Sequence, residues 1–180
     1  MALSPGPRKF ALAAHVTSSV GWLGAVAGFL ALAIVGLNSD DAQLVRGTYL
    51  AMDVTVRFAI VPLALMAVLT GVVQGLGSKW GLFLHYWVVI KLVITIVASI
   101  VLLTELQPIS HLADAARATT FGRDMMRAER TSLVVHSGGG LVVLLVPTIL
   151  SIYKPRGLTR YGQRKQRAAS AGVTGRETVL

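Results

Sequence analysis

A chain of 180 residues with 54% hydrophobic and 14% charged side chains, and a mean hydropathy of +0.67, lies outside the range of a water-soluble domain. The formal charge of +9 comes with no cysteine, which excludes disulfides, thiolate zinc sites, iron–sulfur clusters and a cysteine nucleophile. Any metal chemistry has to use histidine or oxygen ligands.

Four apolar runs follow one another at about Phe10 to Leu37, Val54 to Leu76, Gly81 to Thr104 and Leu133 to Tyr153. Each reaches the roughly 20 residues that cross a hydrocarbon core of about 30 Å. In lipid a single segment must satisfy its own backbone hydrogen bonds, and the runs lack the alternation of a barrel strand, so all four are read as helices. The expected fold is all-α: a polytopic membrane protein with a four-transmembrane-helix antiparallel bundle over residues 1–153 and a basic tail over 154–180. Arg8 and Lys9 ahead of the first run imitate a secretory signal, but the run is longer than the roughly 7–15 residues of a signal core, so it is read as an uncleaved span.

The first run carries Ala14, Thr17, Ser18, Gly21, Gly24, Ala25 and Gly28 at helical spacing, a stripe that lets helix backbones approach closely. The second repeats the device with Ala64, Ala67, Gly71 and Gly75, and the string Ser137-Gly138-Gly139-Gly140 opening the fourth is read the same way. Pro62 and Pro147 predict kinks. The connection over 38–53 is moderate and that over 77–80 very tight. The outer loop 107–130 places Leu112, Ala113 and Ala116, then Phe121 and Met125, between charges at roughly helical spacing, which predicts one or two short amphipathic helices.

Lysines and arginines set the orientation. Arg8, Lys9, Lys79 and seven basic residues of the tail share one side, against Arg46, Arg117, Arg123, Arg127 and Arg130 on the other. Ten against five puts both termini in the cytoplasm, in the bacterial cytoplasmic (inner) membrane. Because the excess charge sits directly behind a span, its expected partner is the anionic headgroups of the bilayer and no nucleic acid. The tail, rich in Arg, Gln, Ser and Gly, is expected to lack fixed structure. Its last residues, Glu177-Thr178-Val179-Leu180, match weakly the C-terminal ligand of a PDZ-type groove.

The chemistry rests on the few polar residues inside the spans. Lys91 stands near the middle of the third run, about 15 Å from its inner end, where an ammonium costs roughly 2.5–3.5 kcal/mol unless something receives it. No aspartate or glutamate lies inside a span. What remains for Lys91 is therefore a neutral, desolvated amine, a hydrated cavity, an anionic cofactor group such as a propionate, or a carboxylate of another subunit. His15 and His85 are expected at similar depth towards the cytoplasmic face, with Gln74 the nearest polar group, and paired histidines between bundle helices are haem ligands. Against this, His85 lies in an aromatic belt with Trp80, Tyr86 and Trp87, and His15 borders the hydroxyls of Ser18 and Ser19. His85 and Lys91 lie about 120° apart around a helix. Asp53 and Arg57 are spaced for a local ion pair, and His111 with His136 forms a weaker candidate metal pair. No Walker loop, H-E-x-x-H or G-x-S-x-G is present.

The run from His15 through Trp22 to Gly24, then Arg57 to Pro62, Thr70-Gly71, and Trp80-Gly81-Leu82-Phe83-Leu84-His85-Tyr86-Trp87 with Lys91-Leu92, resembles an uncharacterised family of bacterial four-span integral membrane proteins. It is also similar to the copper-resistance D membrane proteins and the membrane-embedded protoporphyrinogen oxidases. The latter resemblance implies that His15 and Lys91 bind haem b or a porphyrin. This chain departs from that oxidase in carrying Phe29-Leu30-Ala31-Leu32 where a tyrosine and an arginine stand. The expected function is binding of haem or a related tetrapyrrole for electron transfer or porphyrin handling. The alternatives are a non-enzymatic accessory subunit packed against a larger membrane complex or its own copies, and ion or metal transport by an oligomer.

Overall fold

The computed structural model describes residues 4–77, 81–117, 126–155 and 157–177. Lys79, Trp80, Phe121, Arg123, Met125, Arg156 and the terminal Thr178-Val179-Leu180, on which some of the expectations above fall, lie outside the described residues. Seven α-helices and one π-turn account for nearly all of the described chain, and four helical segments are long and apolar enough to cross a membrane.

Helix α1 (Pro5–Asn38) starts with proline in its first turn, where the missing N–H removes no helical bond. It ends before Ser39, whose N–H returns to the Val35 carbonyl. One stripe of it is buried, Ala11, Ser18, Trp22, Val26, Phe29, Ala33 and Gly36, while Phe10 and Val20 on other faces stay exposed. Apolar residues exposed all round the remaining surface suit a lipid solvent.

The second span begins well before the expected Val54. Helix α2 (Ala42–Thr55) is capped by Asp41, whose carboxylate accepts from the N–H groups of Gln43 at 2.8 Å and Leu44 at 3.2 Å. It runs through a π-turn (Val56–Ile60) into α3 (Val61–Gly77), forming one helical segment. The π-turn ends two residues before Pro62. That ring cannot donate to the carbonyl four residues back, and a wider turn accommodates the defect. The expected connection over 38–53 is thus mostly helix, because Val45, Thr48, Tyr49 and Met52 form a buried stripe among its polar residues.

The third span starts later than expected. Residues 81–85 form a turn, with Gly81 at φ +60, and α4 (Tyr86–Thr104) begins after His85. After Glu105, α5 (Leu106–Arg117) buries Ile109, Leu112, Ala113 and Ala116, the amphipathic helix that the spacing predicts. Helix α6 (Arg127–Tyr153) contains Pro147. The tail carries a helix, α7 (Arg160–Glu177), where no fixed structure was expected. Its alanines, glutamines, lysine and arginines favour helix once ordered.

Neighbouring helices are α1 with α3 and α6, and α4 with α3 and α6, while α2 lies against α1 and α5. Gln74 near the end of α3 reaches Ala11 near the start of α1, and Lys91 near the start of α4 reaches Ser151 near the end of α6. These pairs therefore run in opposite directions. The core is drawn from α1, α2, α3, α5 and α6, whereas α4 buries only Trp87 and Ser99. That leaves space between α4 and the rest.

The small residues divide into two sets. A methyl on Gly21 would lie 3.2 Å from Leu63, and one on Gly71 would lie 3.2 Å from His15, so these glycines do serve close approach. Gly24, Gly28, Gly139 and Gly140 would meet nothing within 4 Å. The reading of Ser137-Gly138-Gly139-Gly140 as a close-packing device is corrected here.

Candidate functional site

A cavity of about 470 Å³ lies among α1, α3, α4 and α6, within the roughly 300–1,000 Å³ of small-molecule sites. Its polar lining includes His15, Gln74, Lys91, Thr148 and Ser151, and Trp22, Trp87 and Leu144 supply apolar walls.

His15 is held by its Nδ1, 3.1 Å from both the Ala67 carbonyl oxygen and Thr70 Oγ1. The Thr70 hydroxyl donates to the Met66 carbonyl at 2.5 Å, so its oxygen is an acceptor towards the imidazole. Both partners of Nδ1 accept, and the geometry assigns the ring proton to Nδ1 and the lone pair to Nε2. A backbone carbonyl orienting one nitrogen while the other is left for a ligand is the arrangement that metal-bound histidines use. Gly71 makes it possible, since any side chain there would press on the imidazole. About one turn nearer the start of α1, Gln74 donates to the Ala11 carbonyl at 2.9 Å and ties α3 to α1.

Lys91 approaches from α4. Because the helix begins at Tyr86, the lysine lies about 8 Å along it and not the 15 Å expected from a span starting at Gly81. Its Nζ donates to Ser151 Oγ at 2.5 Å and sits 5.6 Å from the centroid of the Trp87 ring. The Ser151 hydroxyl in turn donates a hydrogen bond to the Pro147 carbonyl at 2.7 Å. Among the described residues no carboxylate pairs with Lys91. A hydroxyl dipole and an aromatic face orient an ammonium without neutralising it, an arrangement suited to receiving an anionic group in the cavity.

His85 does not line this cavity. It caps the start of α4, its carbonyl accepts from Val88 and Val89, it bridges to Leu158, and its ring lies 6.4 Å from that of Trp87. His15, Gln74 and Lys91 are brought together; His15 and His85 are not placed as two ligands of one metal. Nor do His111 and His136 meet. His111 is on the exposed side of α5, and His136 Nδ1 lies 3.1 Å from Glu105 Oε1. Among the described residues no group of three or more metal-ligating side chains is found. The spaced pair Asp53 and Arg57 closes at 2.9 Å, and Arg57 extends to the Ser110 hydroxyl at 2.6 Å.

Sequence reasoning missed Ser151 and Arg130. Ser151 is four residues after Pro147 and near the end of α6, a depth matching Lys91 near the start of an oppositely running helix. Arg130, assigned to the outer loop, is 1% exposed, donates from Nε to the Tyr49 hydroxyl at 2.9 Å, and also donates to the Gly36 carbonyl. Comparison with models of protein families, with curated proteins and with solved structures finds no match.

Proposed function

We propose that the chain is a four-helix antiparallel bundle of the bacterial cytoplasmic membrane, with both termini in the cytoplasm, that binds haem b or a related tetrapyrrole in the cavity between its helices. The observation that carries this reading is one cavity lined by both a histidine whose Nδ1 is already engaged and a lysine with no carboxylate partner among the described residues. His15 Nε2 is the ligand offered to a metal, and Lys91, steadied by Ser151, is the cation offered to a carboxylate side chain. The residues fit a group held through one histidine; His85 is not positioned to add a second. When bound, such a group supplies one-electron chemistry at its metal, or is itself the cargo. The chain's own contribution would be apolar walls such as Trp22 and Trp87 that limit access of water, and Lys91 to hold an acid group. The excess of basic residues on the tail side supports the orientation.

The test is an absorption spectrum of the chain purified in mild detergent after expression with haem supplied. A Soret band is expected, lost in His15→Ala and kept in His85→Ala. Absence of the band, or a band indifferent to His15→Ala, refutes the reading.

A second reading has its own observation. Gly24 and Gly28 form a small-xxx-small pair on an exposed face of α1 that nothing among the described residues covers, as suits an accessory subunit or homo-oligomer. Crosslinking in membranes tests it: a discrete crosslinked species that Gly24→Leu abolishes supports it, and a lone monomer throughout counts against it.

A further inference from the structure

We propose that a second cavity, on the far side of Trp22 and Leu144 from the first, is a binding site for a neutral prenyl-type quinone or quinol, with its head at the Glu105–His136 pair. The cavity measures about 430 Å³ and is bounded by α1, the π-turn, α4, α5 and α6. Trp22 and Leu144 line both cavities and form the wall between them.

The space is kept open by residues that lack side chains. Gly139 and Gly140 line it, and a methyl on either would meet no atom within 4 Å, so neither glycine is required by helix packing. Glycine inside a helix costs up to about 1 kcal/mol relative to alanine, and here the return is volume. Most of the lining is apolar, from residues such as Phe29, Val97 and Leu133.

Polar side chains enter at one end. The Ser137 hydroxyl is spent on the Leu133 carbonyl at 2.6 Å, which leaves Glu105 and His136. His136 Nδ1 lies 3.1 Å from the Glu105 carboxylate and 3.3 Å from Ser132 Oγ. Its Nε2 is the remaining ring nitrogen. An imidazole backed by a carboxylate accepts from a hydroxyl through Nε2 when neutral and donates to a carbonyl when protonated. That is the pair of roles needed for the reduced and oxidised forms of a quinone head.

Electrostatics separates this ligand from a membrane phospholipid. The charged group in the lining is a carboxylate, which repels a phosphate head and tolerates a neutral one. An apolar body with a hydroxyl or carbonyl end fits both halves of the site. The ring and first isoprene units occupy the cavity and the remainder of the tail lies in the bilayer.

Trp22 in the wall makes the proposal measurable, because quinones quench indole fluorescence. The full chain with Trp80→Phe and Trp87→Phe leaves Trp22 as the one tryptophan of the three present. In nanodiscs it is titrated with a decyl-tailed benzoquinone. Saturable quenching is expected. Gly140→Leu, whose Cβ meets no atom within 4 Å and whose larger side chain takes up cavity volume, leaves only the linear collisional component. His136→Ala weakens binding by about tenfold, the worth of one hydrogen bond to a charged group. Glu105→Gln, of the same size, weakens it in the same direction and serves if either other variant fails to fold. Quenching that is linear in the unsubstituted background, or unchanged in Gly140→Leu, overturns the proposal. Equal competition by decylbenzene or phosphatidylglycerol also overturns it and makes the cavity an acyl-chain filler. The site is independent of the tetrapyrrole reading, since His15→Ala is expected to leave the quenching curve unchanged.

Discussion

Arg130 is the residue whose replacement the structure expects to destabilise the fold most among the charged positions. It is 1% exposed, and its guanidinium joins α6 to two helices far from it in sequence, through the Tyr49 hydroxyl of α2 and the Gly36 carbonyl near the end of α1. The guanidinium also lies 5.5 Å from the centroid of the Tyr49 ring. In Arg130→Ala, two buried acceptors lose a charged donor. An orphaned buried group costs about 1–3 kcal/mol, and the lost cation–π contact adds about 0.5–2 kcal/mol. Polar pairs measured inside membranes average nearer 0.6 kcal/mol, because the unfolded chain in lipid also finds partners. A net loss of about 3 kcal/mol is expected, or about 6–12 °C in Tm at roughly 2–4 °C per kcal/mol for a chain of this size.

The assay is thermal unfolding in detergent, followed by circular dichroism, on Arg130→Ala, Tyr49→Phe and the double variant. Tyr49→Phe alone is expected to cost about 1 kcal/mol, and the double variant less than the sum by about 1 kcal/mol, since both singles break the same bond. Gly36→Ala approaches the cluster from the other side. Its methyl would lie 2.9 Å from Tyr49 Cζ and from the hydroxyl, so the ring must shift, at about 1–3 kcal/mol. A Tm change under about 2 °C for Arg130→Ala, or strict additivity in the cycle, would refute the claim that this arginine joins α1 to α2.

Lys91→Met is expected to leave the Tm unchanged or slightly raised, because a methionine at this position has no charge to desolvate, which offsets the lost bond to Ser151. The same change should weaken binding of an anionic tetrapyrrole by about tenfold, the loss of one charge-assisted contact; a Tm drop beyond about 5 °C would assign the lysine to helix packing instead. Gly71→Ala is expected to disturb His15, whose Cε1 would lie 3.2 Å from the new methyl, and so to shift or weaken the Soret band. Gly24→Leu, whose Cβ would meet no atom within 4 Å, should not destabilise the monomer and should raise its stability by up to about 1 kcal/mol through helix propensity, which a melting curve in detergent decides.

What could be read in advance follows from what lipid demands of a chain. A span must be long, apolar and internally hydrogen-bonded, so each of the four announces itself without reference to its neighbours. Ends are less legible, since hydropathy registers greasiness and not backbone conformation. Leu82-Phe83-Leu84 is as apolar as a helix yet lies in a turn, which displaced the expected start of α4 and with it the depth of Lys91. The opposite error hid α2, where Arg46 and Asp53 lower the average while Val45, Thr48, Tyr49 and Met52 already mark a buried face. Within the site, His15, Gln74 and Lys91 were visible because a polar group in an apolar run has to be accounted for. Their hydroxyl partners were not. Thr70 and Ser151 each donate to a carbonyl four residues back, so each looks satisfied on its own helix while the free lone pairs of its oxygen remain to receive a side chain from another. Arg130 escaped for a related reason: at the end of a charged loop it looked solvated, and only Gly36 and Tyr49, on two other helices, reveal that it is enclosed. The groups that define a buried polar site are therefore readable as anomalies in their own segment, but the groups that complete it conform to theirs, and only the packing of helix on helix identifies them.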